Sequence, residues 1–312
     1  MYDKIALWME REAAGNDFSA VPGYLENVEE RRDIVTDVTR YYGSLGPLQV
    51  RIHPHGLSVI GSWPKFLLSD NVGTLARNDA ARVVEAISDG LHVDMSNADV
   101  TGLEFGSTYL MKREPQAYFH KLGEMPRMKR MEFDALYYQG RGKKKPFTAN
   151  FYDKAREVEA RGDIVPYGLN GANLLRYEIR LRGKIASRMK CPFVKASTLA
   201  EMPFYRKMIE LYKETYFSIH KNQEYKTDNM SQIKTVSDAF NLFVARLINQ
   251  GGNTQITAFL DELKGAAIFR DKKYYTRLKK RLMEAAEAGG VTVSDELIAE
   301  LDGEIKNATA YY

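Results

Sequence analysis

From Phe147 to Lys154, Phe147, Ala149 and Phe151 alternate with Thr148, Asn150, Tyr152 and Lys154. Alternation with period two is the pattern of a strand with one buried and one open face. A chain that repeats it must build a sheet whose open face displays polar side chains. Tyr152 falls on that face, with Lys154 two residues on. A phenol is a covalent nucleophile once it is activated.

Two further segments repeat the pattern. In Thr101–Ser107, Leu103 and Phe105 point one way and Gly102, Glu104 and Gly106 the other. Interior glycines mark a close approach of a ligand or another backbone. Glu104 between them reads as a metal ligand or as the partner of a neighbouring arginine. In Leu174–Arg182, Leu175, Tyr177, Ile179 and Leu181 form the apolar face, opposed by Arg176, Glu178, Arg180 and Arg182. Guanidiniums in a row suit phosphate, since each can fork to two oxygens. Glu178 among them is a ligand or their counter-ion. Asp153, at the end of the Tyr152 strand, is a further candidate ligand, although strict alternation points it away from Tyr152.

Similar patterning predicts strands over 2–10, 48–53, 57–60 and 100–111. Residues 131–138 and 147–153 flank a Gly-Arg-Gly-Lys-Lys-Lys loop and read as a hairpin. Its tip, with Arg141, Lys143, Lys144 and Lys145, is a clamp for a nucleic-acid backbone or a solubilising turn. His53-Pro54-His55-Gly56 reads as a turn and not as a metal-binding pair, because Pro and Gly both break strands. Helical spacing covers 78–89 and a short segment from Lys154. Beyond 197 it recurs over 197–219, 236–248, 254–263, 271–288 and 294–305, with Gly251-Gly252 and Gly289-Gly290 as stops. The fold class is therefore α+β. An antiparallel-rich central sheet with helices on one face spans 1–195, and a mostly helical region spans 196–312.

Charge and cysteine content narrow the class. The formal net charge is +4, yet residues 112–190 hold 19 Lys and Arg against 9 Asp and Glu, so the rest is net acidic. A basic middle in an acidic chain points to a local polyanion site or a solvated face. Cys191 is the only cysteine, which excludes an internal disulfide and a cysteine zinc site and fits a cytoplasmic protein. No apolar run reaches membrane-spanning length.

Four segments together resemble the replication initiators of filamentous phages, the gene II and X type, and related rolling-circle plasmid initiators. Gly61-Ser62-Trp63-Pro64-Lys65-Phe66-Leu67 with Asp70-Asn71-Val72 is similar to that family's "GSxPKF…N" run. Val100–Tyr109 resembles its "IxRIDxTFS" strand, with Glu104 at the acidic position and Gly102-Leu103 before it. Phe151-Tyr152-Asp153-Lys154 with Glu157 resembles "YxKxxE", and Leu174–Leu181 resembles "LxRxEaRl". The likeness spans about residues 57–185.

The resemblance implies a nickase-type enzyme, working in the cytoplasm of a bacterial host, that cuts and rejoins one DNA strand through a 5′-phosphotyrosine. It makes Tyr152 the nucleophile and Lys154 a cation that favours the phenolate. It makes Glu104, with Glu178 or Asp153, the ligands of Mg²⁺ or Mn²⁺. The partner would be single-stranded or extruded origin DNA, held by Arg176, Arg180, Arg182 and the Arg141–Lys145 tip. A host helicase and polymerase, and a second copy in a homodimer, are further partners it suggests. Origin recognition or oligomerisation would fall to the region after 196. A mobilisation relaxase with the same chemistry, and a non-catalytic nucleic-acid-binding protein, are the alternatives.

Overall fold

The computed structural model describes residues 1–11, 18–70, 72–140, 146–163, 166–222, 233–288 and 295–310. Its strands are β1 Tyr2–Glu10, β2 Glu26–Asp33, β3 Val38–Leu45, β4 Leu48–His53, β5 Gly56–Ser62, β6 Asp99–Met111, β7 Met128–Glu132, β8 Leu136–Gly140, β9 Phe147–Asp153 and β10 Asn173–Arg182. They form one sheet in the order β2-β3-β4-β5-β1-β6-β10-β9-β8-β7. Every neighbouring pair is antiparallel. The helices are α1 Trp63–Leu68, α2 Arg77–Leu91, α3 Pro115–Phe119, α4 Lys154–Ala160, α5 Ile185–Met189, α6 Met202–Phe217, α7 Val236–Gly265, α8 Lys272–Ala288 and α9 Glu296–Thr309.

The apolar stripes of the central strands meet on one face. Leu103, Phe105, Leu175, Tyr177, Ile179, Ala149 and Phe151 share a core with Ala80, Val83 and Ile87 of α2, Tyr205, Met208 and Tyr212 of α6, and Leu301 and Ile305 of α9. Phe151 stacks on Tyr177 at 4.4 Å between ring centroids, and Tyr177 meets Tyr212 at 4.4 Å. Buried phenols need partners. The Tyr109 and Tyr212 hydroxyls bond at 2.8 Å, and Tyr177 donates to the Tyr212 carbonyl at 3.0 Å. Tyr118 and Tyr216 donate to Glu300 and Asp302, which ties α9 to the same body. Of the helical stretch after 196, α6 and α9 thus belong to the sheet's core. The α7–α8 pair has an apolar cluster of its own around Ile248, Ile256 and Leu260.

Three local readings change. Residues 26–45, too polar to suggest strands, form the β2–β3 hairpin, with β2 almost wholly exposed. The expected strand 131–138 is two strands, because Phe133–Ala135 turns and Phe133 N–H donates to the Ala135 carbonyl. Gly251-Gly252 does not stop a helix; α7 runs through it for 30 residues. Two glycines cost about 2 kcal/mol in a helix, and apolar burial against α8 on the flanks, by Ile248, Ile256 and Leu260, offsets this. Gly289-Gly290 and the tip residues Arg141, Lys143, Lys144 and Lys145 lie outside the described residues.

Gly106 shows why β6 carries glycines. It pairs with Glu178, and a Cβ there would lie 2.4 Å from the Tyr177 carbonyl oxygen and 2.5 Å from Glu178 Cβ. It admits another backbone and not a ligand. Gly106→Ala should therefore cost at least about 1–3 kcal/mol, the range for overpacking. Gly140→Ala, in open space, should stay within about 0.5 kcal/mol of wild type. Denaturant unfolding of the two variants checks this.

Candidate active site

The open face of β6, β10 and β9 gathers the polar stripes read from the sequence. Register aligns Arg176 with Tyr152, Glu178 with Asn150, and Arg180 with Glu104. Tyr152 Oη donates to Glu178 Oε2 at 3.1 Å. Arg180 joins both acids: Nη2 lies 2.5 Å from Glu178 Oε1, and Nε lies 3.3 Å from Glu104 Oε1. With its amide turned to satisfy both ends, Asn150 accepts from Arg180 Nε at 2.9 Å.

A third carboxylate comes from β1. Tyr2 pairs with Phe105 and Ile5 with Leu103, so β1 holds one extra residue between those pairs. Such a bulge re-aims side chains. Tyr2 and Ile5 both face the core, and Asp3 and Lys4 both fall on the open side opposite Glu104. Ser62, the N-cap of α1, donates to Asp3 Oδ1 at 3.2 Å and so orients it. One oxygen each from Asp3, Glu104 and Glu178 lie within 4.8 Å of one another. The signal in the sequence was a break in alternation at Tyr2-Asp3-Lys4, where an acid stands in phase with Ile5 and Leu7.

Arg176 lies beneath this group with no exposed surface. It pairs with Asp3, donates to Thr108 Oγ1 at 3.0 Å, and holds Nε 3.5 Å from Glu178 Oε2. Its guanidinium therefore balances carboxylates inside the protein and is not presented to DNA. Arg180 is partly exposed, and Arg182, at the strand end, is exposed. Asp153 stands apart from the cluster: it caps α4, accepting from Arg156 N–H at 3.1 Å. Lys154 is buried, with Nζ 2.8 Å from Glu157 Oε2, so its charge is tied to α4. Lys65 of the Gly-Ser-Trp-Pro-Lys-Phe run pairs with Asp163 at 2.6 Å.

The electrostatics follow from burial and pairing. Burial raises the Tyr152 pKa well above that of a free phenol, and the Glu178 charge adds to it. Burial acts to raise Glu178 as well, but Arg180, Arg176 and the Arg180 and Tyr152 hydrogen bonds outweigh it and hold Glu178 below the ordinary carboxylate value. Glu104 goes the other way. Burial and then the Glu178 charge push it up to about 7, with Arg180 opposing. Burial also lowers Lys154, against its bond to Glu157.

Once Glu104 is ionised, the three carboxylates outnumber the two guanidiniums paired with them by one. Hard oxygen donors in such an arrangement suit Mg²⁺ or Mn²⁺, so the residues fit the cation that the resemblance implies.

The Glu104 shift sets a pH dependence. A carboxyl with a raised folded-state pKa binds its proton more tightly folded than unfolded. Its contribution is most favourable below the ordinary value of 4.5, declines as pH rises, and is lost above about 7. Without divalent ions, wild type should therefore lose roughly 3 kcal/mol relative to Glu104→Gln between pH 4.5 and 8. Paired denaturant titrations across that window measure the difference.

The N-terminal family of gene II replication-associated proteins matches residues 1–201. A rolling circle replication initiator protein from Geobacillus stearothermophilus is structurally similar at 12% identity and a TM-score of 0.40, over 75% of this chain and 90% of that one. No curated protein matches. Since the family match takes in every strand and all the clustered residues, the chain belongs to the gene II family of replication-associated proteins.

Proposed function

We propose that this protein initiates rolling-circle replication by nicking one strand of origin DNA and later rejoining it. The observation that carries the reading is Tyr152, half-buried, with its hydroxyl 3.1 Å from Glu178 in a cluster of three carboxylates.

The chain's residues would act as follows. The phenol is protonated at rest, so its attack must be coupled to proton loss. Glu178 is ionised and already accepts the Tyr152 hydrogen bond, which makes it the first proton acceptor. Tyr152 Oη attacks the phosphorus in line, the P–O3′ bond breaks, and the leaving oxygen takes a proton from solvent. The products are a 5′-phosphotyrosine and a free 3′-hydroxyl that a polymerase can extend. Attack of a 3′-hydroxyl on the phosphotyrosine reverses the step and rejoins the strand without ATP. Asp3, Glu104 and Glu178 would hold Mg²⁺ or Mn²⁺, which when bound would stabilise negative charge on the phosphoryl oxygens. Arg180, partly exposed between Glu104 and Glu178, is the guanidinium best set to meet the scissile phosphate. Arg180 and Arg176 keep Glu178 ionised, and Asn150 accepts from Arg180 and helps to hold it. The catalytic unit takes in α6 and α9 with the sheet, and the α7–α8 pair is left for origin recognition or self-association.

Covalent capture tests the reading. The protein, incubated with single-stranded DNA from its own origin and Mn²⁺, should give a denaturation-resistant adduct that maps to Tyr152. Tyr152→Phe and chelator should each abolish it. An adduct that persists in Tyr152→Phe would move the nucleophile elsewhere.

A further inference from the structure

The sheet face that carries Tyr152 continues beyond the carboxylates. Trp8, Ser58, Arg51 and Tyr42 lie in one cross-strand row over β1, β5, β4 and β3. The row begins four residues along β1 from Lys4, a rise of about 13 Å. Between it and the carboxylates lie Ala6, Ile60 and Gly102, all partly accessible. Their small or flat surfaces form an open floor joining the two places.

At the row is a cavity of about 330 Å³ lined by Trp8, Arg40, Tyr42, Arg51, His53 and Ser58. One edge of the indole is fixed against the β4–β5 turn, since a Cβ on Gly56 would lie 2.5 Å from Trp8. The rest of Trp8 is half-exposed, and it makes no ring or cation contact among the described residues. Arg31 is neutralised by Glu29 at 2.7 Å. Arg40 and Arg51 have no carboxylate within ion-pair distance among the described residues. An aromatic face beside guanidiniums that no carboxylate neutralises is the chemistry that holds single-stranded nucleic acid, by stacking a base and balancing its phosphate. A pocket of this size is at the small end of those that enclose one ligand.

We propose that this pocket takes one nucleobase of the DNA strand that Tyr152 cuts, stacked on Trp8, with Arg40 and Arg51 against the adjoining phosphate. The proposal rests on the nicking reading and adds to it a fixed path for the strand across β1. It makes Trp8 a positioning residue, remote from the reacting atoms.

Tryptophan emission tests it on the full chain. The chain has 2 tryptophans, and Trp63 is buried in the core, so Trp8 is the one that reports a stacked base. Single-stranded oligothymidylate should quench the emission as it binds, and the quench should vanish in Trp8→Phe while binding is largely kept. Trp8→Ala should weaken binding about tenfold, the lower part of the stacking range. Arg51→Gln, at an exposed position, should weaken it and flatten its salt dependence. Unchanged emission at saturation, or Trp8→Ala binding within about twofold of wild type, would overturn the proposal. Covalent capture on the same preparation separates the two readings. An adduct on Tyr152 without a quench removes the pocket alone. A quench without an adduct upholds the pocket and counts against nicking.

Discussion

The site depends on a guanidinium sealed inside the sheet. Arg176 has no exposed surface and lies between Asp3 and Glu178. A buried charge is tolerated only when it is paired and hydrogen-bonded. Asp3 and Thr108 accept its hydrogen bonds and Glu178 adds a second opposite charge, from three different strands. Without Arg176, two buried carboxylates would be left facing one another, and burial would drive them to take up protons. With it, and with Arg180 on its other side, Glu178 stays ionised and can accept the Tyr152 hydrogen bond. The neighbouring Glu104, which lacks this support, rises to about 7.

The two faces of the sheet divide the work. One face is a close-packed aromatic layer in which the tyrosines of β6, β10 and α6 satisfy each other's hydroxyls. It fixes the central strands, so residues on the opposite face inherit a rigid frame. Tyr152, Glu178, Arg180 and Glu104 need no loop to bring them together, because register alone does so. The same register carries the open face on to Trp8 and Arg51. A strand lying along it would meet aromatic, cationic and reactive groups in a fixed order.

Much of this was legible in the sequence, for a simple reason. Period-two alternation says which side of a strand a residue occupies, and Tyr152, Glu104, Glu178 and Arg180 obey it. Asp3 went unread, because a one-residue bulge inverts the phase of β1, and the acid in phase with Ile5 and Leu7 was its only mark in the sequence. The part played by Arg176 was also hidden. Alternation placed it on the polar face, but only the packed structure decides whether a guanidinium there meets solvent or three protein partners. Asp153 and Lys154 lie where the strand gives way to α4, and there capping and pairing with Glu157 take over from alternation. The β2–β3 hairpin went unread because its strands lack an apolar stripe, and α7 was divided at glycines that packing overrides.

The claim on which the account turns is that Asp3, Glu104 and Glu178 make a cation site beside Tyr152. Mn²⁺ binding to the DNA-free protein, followed by electron paramagnetic resonance, addresses it directly. Wild type would be compared with Glu104→Gln and with Asp153→Asn, whose carboxylate caps a helix outside the cluster. The account predicts a single bound ion in wild type and Asp153→Asn, and its loss in Glu104→Gln. Retention of the ion in Glu104→Gln, with loss in Asp153→Asn, would contradict it.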